Sequence, residues 1–272
     1  MLRRVLGDYW ATITSERRFT IYLCANFIDK VIHAPFNPFM PIFVAEQLGR
    51  PQAFAAALRG AETLAQTLAS LGFGLVSTNA RAKTALVLGA LNTPLAAALF
   101  LMRSPSMLMV AAAVHGALSG VASSVSSLYL VTLAPPARVG AASSLQYMGN
   151  TIGSAIGAAI GGIILARSTG FRTLAWIMLA SAAPVQIVVA LAIPSLASTG
   201  TKDGAAPADQ AAATTVTQSD QPSASLGDLL ARPAVRALLL MQYLRTCFWG
   251  CASMSIPFLL NSLATNSKST VG

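Results

Sequence analysis

Apolar residues run through this chain in seven long stretches, at roughly 20–45, 54–77, 84–102, 106–133, 139–166, 172–194 and 235–264. A helix that crosses a bilayer needs about 20 mostly apolar residues. Within lipid the backbone has no partner but itself, so outside a closed barrel each stretch is expected to be helical. The first six are joined by short polar turns. They are followed by a polar run from Ser198 to Ser225, rich in Ala, Thr, Ser, Gln and Pro and without apolar period. Such a run is expected to be a disordered linker. The predicted organisation is an N-terminal segment over 1–19, a six-span bundle over 20–194, a linker over 195–233, a seventh span in 234–264 and a short end at 265–272. The expected fold class is an all-α polytopic membrane protein: a six-helix bundle plus one lone helix of a missing second bundle.

The first and seventh spans close alike, each on a Pro followed by large apolar residues, in Met40 to Gly49 and Ile256 to Ala264. A repeated bundle gives this pattern, with span seven repeating span one. The expectation is therefore a truncated chain, lacking about five spans by this internal-repeat reasoning.

The fifth stretch carries glycines at 140, 149, 153, 157 and 161. A soluble helix interior loses roughly 1 kcal/mol for each Gly against Ala. In a membrane, small residues at every fourth position instead make a flat face on which another backbone packs closely.

Composition agrees with the pattern. The chain is 54% hydrophobic and 10% charged, with a mean hydropathy of +0.63, whereas soluble domains carry about 25% charged residues. The net charge of +9 does not point to nucleic acid, because the basic residues are scattered between apolar runs without a basic helix or an aromatic platform. They read instead as orientation signals. With a cytosolic N-terminus, the inside segments hold Arg3, Arg4, Arg17, Arg18, Arg81, Lys83, Arg138, Lys202, Arg232 and Arg236. The outside segments hold only Arg50, Arg103, Arg167, Arg172 and Lys268. The N-terminal segment has no uninterrupted apolar core and is expected to be a cytosolic, partly amphipathic lead-in rather than a cleaved signal. Cys24, Cys247 and Cys251 lie in apolar runs and form no disulfide framework. No cofactor and no metal centre is expected.

Ionisable residues at membrane depth are costly and mark cavities or partners. In the first span Asn26, Asp29, His33 and Asn37 are spaced three, four and four, which places them on one helical face. This stripe reads as a cavity wall, and Asp29 and His33, one turn apart, can share a proton. In the second span Arg59, Glu62, Gln66 and Ser70 form a similar stripe, with Arg59 and Glu62 expected to neutralise each other. In the fourth, His115, Ser119, Ser123 and Ser126 share a face, the serines able to return hydrogen bonds to their own helix. His115 either lines the cavity or contacts the neighbouring bundle. In the seventh, Gln242, Arg245, Trp249 and Ser253 align. Arg245 there can bind an anionic group, pair with a carboxylate such as Asp29, or snorkel to the interface.

Six spans, a polar linker and the start of a second bundle resemble the major facilitator superfamily, over about residues 18–272. The glycine stretch is similar to that family's fifth-span antiporter motif: Gly140, Gly149, Gly153 and Gly157 match, while Ser154 stands for a Pro and Ala158 for the last Gly. In the family this helix packs on the second bundle and is associated with efflux antiport. The resemblance therefore implies that much of the ladder's partner surface lies outside this chain. Two other motifs are altered. After the second span Gly74 and Lys83 fit, but Thr78, Asn79, Arg81 and Ala82 replace the charged and glycine positions of the family's loop. In the fourth span Ala112 and His115 stand where the family has an Arg associated with proton coupling and a Gln.

The resemblance implies a secondary transporter bundle that moves a small organic solute by alternating access, efflux- or antiport-like. Its implied partners are the lipid bilayer, the solute and the missing C-terminal bundle of the same polypeptide; coupling to protons is an expectation from the Asp29 and His33 spacing alone. A seven-span receptor or sensor fits the span count but not the charge bias, and the last span has no Lys for a retinal-type Schiff base. A membrane enzyme is disfavoured, with only two histidines and no carboxylate–histidine metal motif. A fragment without function of its own is the remaining alternative.

Overall fold

A computed structural model of the chain describes residues 2–14, 17–76, 79–167 and 170–193, together with the single helical positions Ala231, Pro233, Arg236 and Met241. The chain divides into two compact units, Met1–Ser198 and Thr199–Gly272. Apart from those four positions, the expected linker and the seventh span, Arg245 included, lie outside the described residues.

Unit 1 is built from nine α-helices among its described residues: α1 (Leu2–Thr14), α2 (Arg17–His33), α3 (Phe36–Leu48), α4 (Gln52–Val76), α5 (Asn79–Ala90), α6 (Asn92–Leu99), α7 (Pro105–Leu133), α8 (Val139–Arg167) and α9 (Phe171–Ala192). A 3-10 turn at Pro136–Arg138 joins α7 to α8. No strand occurs among the described residues. Among the described residues, four helical stretches are long and apolar enough to cross a membrane: Arg81–Leu99, Pro105–Leu133, Val139–Arg167 and Phe171–Ala192. The protein is an all-α polytopic membrane protein. The expected spans at 20–45 and 54–77 are also helical. The first, however, is divided into two pieces of 17 and 13 residues, and α4 carries Arg59, Glu62 and Gln66 within its length.

Two expected spans are broken, and proline is the reason. The stretch predicted as one helix over 20–45 begins at Arg17 and is interrupted at Ala34–Pro35. Pro35 and Pro38 have no N–H to return to the carbonyls of Val31 and Ala34. The stretch predicted over 84–102 begins at Asn79 and breaks at Leu91. There Pro94 cannot donate to the carbonyl of Ala90, and the side-chain amide of Gln186, from α9, donates to it instead.

Glycine permits close helix contacts at two places. A Cβ on Gly116 or Gly120 of α7 would overlap the backbone carbonyl of Glu62 or Gln66 on α4. On α8, a Cβ on Gly157 would overlap the Val31 carbonyl and come within 2.7 Å of Ala34 Cβ, and one on Gly161 would meet Pro35 at 2.8 Å. Gly153, Gly157 and Gly161 of the ladder thus pack on α2 and the Pro35 corner of the same unit. The physical reason is local: Pro35 leaves the Val31 carbonyl without its helical donor, and a residue without side chain can approach it there. Gly140 has open space around it, and Gly149 stands at an ordinary contact distance from Phe27.

The interior between α2, α5, α7, α8 and α9 is filled by Phe19, Tyr22, Val125, Tyr129, Leu133, Val185, Val189 and smaller residues. Tyr22 and Tyr129 stack there with ring centroids 5.9 Å apart. This core fixes α2 and α7 side by side, and their polar residues form the site.

Candidate functional site

The polar groups of α2 and their neighbours form a ladder between helices. Nearest the start of α2, the Tyr22 hydroxyl donates to the Ser126 carbonyl of α7 at 2.9 Å and also meets the Ser126 hydroxyl. Gln146 of α8 donates to that hydroxyl at 2.6 Å. One turn on, Asn26 donates to Asn150 of α8 at 2.8 Å. Next, Thr93 of α6 donates to Asp29 Oδ1 at 2.7 Å. Thr93 is fully buried, held in place by the broken α5–α6 stretch.

At the end of α2 the His33 ring lies parallel to the His115 ring of α7, with centroids 5.2 Å apart and an interplanar angle of 4°. Phe36 covers both, its ring centroid 4.5 Å from that of His115 and 5.7 Å from that of His33. His115 Nδ1 stands 3.1 Å from Glu62 Oε1, and Arg59 donates to Glu62 Oε2 at 2.7 Å. Glu62 and His115 are buried, while the Arg59 side chain is 32% exposed. An unbroken line of side chains therefore runs from Arg59 through Glu62 and His115 to His33, crossing from α4 through α7 to α2.

Several buried polar atoms of this region have no hydrogen-bond partner among the described residues: His33 Nδ1, Asn92 Oδ1 and His115 Nε2, while His115 Nδ1 faces Glu62. Buried polar groups are costly unless satisfied. Among the described residues no group of three His, Cys, Asp or Glu side chains could hold a metal ion.

The structure thus pairs His33 with His115 and sets Asp29, one turn before His33 on α2, against Thr93, with Asn26 on the same helix. Asn37 is not with them. The break at Pro35 interrupts the three-four-four spacing, and Asn37 is exposed on α3. The Arg59–Glu62 pair stands as expected, with His115 as a third member that the sequence did not reveal. Ser123 returns its hydrogen bond to Gly120 of its own helix at 2.9 Å, whereas Ser126 bonds across to α2 and α8. Sequence reasoning missed Thr93, Asn150, Tyr22 and Gln146. Thr93 and Asn150 were visible as polar residues inside apolar runs, but nothing in their spacing named Asp29 and Asn26 as partners.

Residues 19–271 match the family model described as the Major Facilitator Superfamily. No curated protein matches the chain.

Proposed function

Because the chain belongs to the major facilitator superfamily and so is a secondary transporter, we propose that it carries a small organic solute by alternating access, in an efflux- or antiport-like exchange, with Asn26, Asp29, His33 and His115 along the path. The observation that supports this most is the stacking of the His33 and His115 imidazoles, with His33 Nδ1 and His115 Nε2 unpartnered among the described residues, one helical turn from the Asp29–Thr93 hydrogen bond. Secondary transporters of two-bundle architecture bind their cargo near the midplane, where the bundles face each other. On this reading the helices of unit 1 supply one wall of the path. Asp29, held by Thr93, serves as proton acceptor and as anchor for a solute donor. His33, one turn away, relays or accepts the same proton. Arg59 and Glu62 order His115 from the α4 side. The N-terminus is assigned to the cytosol by the Lys and Arg distribution.

The test is exchange in reconstituted vesicles. The full chain is inserted into liposomes loaded with a pH-sensitive dye, and organic cations, anions and zwitterions are added in turn. At least one class is expected to change the internal pH in the wild type. Asp29→Asn is expected to reduce that response about tenfold or more, and His33→Ala to displace its pH dependence. A response unchanged in both variants removes the two residues from the proton path.

A further inference from the structure

A cleft of about 440 Å³ lies at one end of unit 1, where α3 and α6 finish and α9 begins. Its floor is a triad of rings, Phe43, Phe100 and Phe171, with centroids 5.3 to 5.6 Å apart. All three rings are buried. Its rim carries Arg103, from the turn between α6 and α7, and Arg172, from the first turn of α9. Both arginines are exposed, and neither forms an ion pair with a carboxylate among the described residues. Trp176, one turn further along α9, lines the same cleft and is 56% exposed. The α9 terminus adds to the positive end of the cleft, because Gly170 gives it no side-chain cap and its first turn has no acidic residue.

These groups are matched to one kind of ligand. Guanidinium forks fit phosphate oxygens in two-point hydrogen bonds and are only weakly hydrated. An indole half in water and half against apolar surface is suited to the headgroup level of a bilayer. The three rings give apolar lining to the same cleft that the two cations line. The cleft is at the helix ends of a protein that spans the membrane, so phosphate and acyl chain reach it together from the lipid. We propose that this cleft binds the phosphate of an anionic phospholipid, gripped by Arg103 and Arg172, with the start of its acyl chains against Trp176 and the phenylalanine floor. The site is separate from the histidine path: it shares no residue with it.

The experiment uses the full chain carrying Trp10→Phe and Trp249→Phe, so that Trp176 is the remaining indole. The chain is placed in nanodiscs of phosphatidylcholine into which either phosphatidylglycerol or more phosphatidylcholine, each with brominated acyl chains, is mixed. Trp176 emission is expected to be quenched at lower fractions of the brominated phosphatidylglycerol than of the brominated phosphatidylcholine. In detergent, dioctanoyl phosphatidylglycerol is expected to bind about tenfold or more weakly to Arg103→Gln/Arg172→Gln, as loss of charge-assisted hydrogen bonds implies. Inorganic phosphate is expected to compete poorly. Equal quenching by the two lipids in the parent protein, a measurement that needs no arginine variant, overturns the proposal. So does a double variant that keeps the preference. Inorganic phosphate competing as well as the lipid shows a site for free anions and overturns the lipid assignment.

Discussion

At the scale of single residues, the glycines of α8 divide into those that hold a contact and those that only fit a pattern. Gly157 faces backbone, since its absent side chain leaves room for the Val31 carbonyl and Ala34. Backbone cannot rotate away as a side-chain tip can, so Gly157→Ala is expected to push α8 from α2 and destabilise the protein by about 1–3 kcal/mol. Gly149→Ala is expected to be neutral or slightly stabilising, because its Cβ would stand 3.8 Å from a Phe27 ring carbon and Ala is the better helix former by about 1 kcal/mol. Thermal midpoints of the two variants in detergent decide the matter; equal losses contradict this packing account. Spacing showed that a flat face exists but could not say which helix lies on it. The same limit applies in the site. Asp29, His33 and His115 were legible as ionisable side chains in apolar runs. Thr93 was not, because a lone threonine in a helix has its own backbone as an alternative partner.

At the scale of elements, the hydrophobic pattern located the helices and missed their breaks. Hydropathy measures how well side chains suit lipid and does not register a missing N–H, so the stretches with Pro35 and Pro94 looked continuous. The prolines were visible, but a proline in a membrane helix either kinks it or is accommodated, depending on what takes up the freed carbonyl. Here the answers are non-local: Gly157 packs at Val31, and Gln186 donates to Ala90. The second case gives a double-mutant cycle. Gln186→Leu leaves the Ala90 carbonyl unpaired and is expected to cost about 1–3 kcal/mol. Pro94→Ala supplies a backbone donor to that carbonyl, so Gln186→Leu is expected to cost clearly less in the Pro94→Ala background. Thermal or denaturant unfolding of the four proteins measures the coupling. Identical costs in both backgrounds show that the amide does not replace the missing helical bond.

At the scale of the whole molecule, the all-α polytopic fold was legible because lipid allows so few alternatives, and the superfamily was legible because a fifth-span glycine pattern survives. Orientation is a further property of the whole chain and rests on charge alone. Fifteen of the 18 Lys and Arg residues flank the spans, ten on the side assigned to the cytosol and five opposite, and Lys30, Arg59 and Arg245 lie within spans. Each basic residue favours retention on the cytosolic side during insertion, and the bias sums over short loops. Single cysteines can read the outcome in a background with Cys24, Cys247 and Cys251 replaced. Arg50→Cys lies in the turn between α3 and α4, and Ala137→Cys lies between α7 and α8; both native side chains are exposed. A membrane-impermeant maleimide is expected to label the first in intact cells and the second only after permeabilisation. The two positions are at the ends of helices that alternate in direction, so they cannot both be outside if each intervening span crosses. The reverse pattern inverts the molecule, and with it the leaflet that faces Arg103 and Arg172. Labelling of both in intact cells contradicts the span count between them.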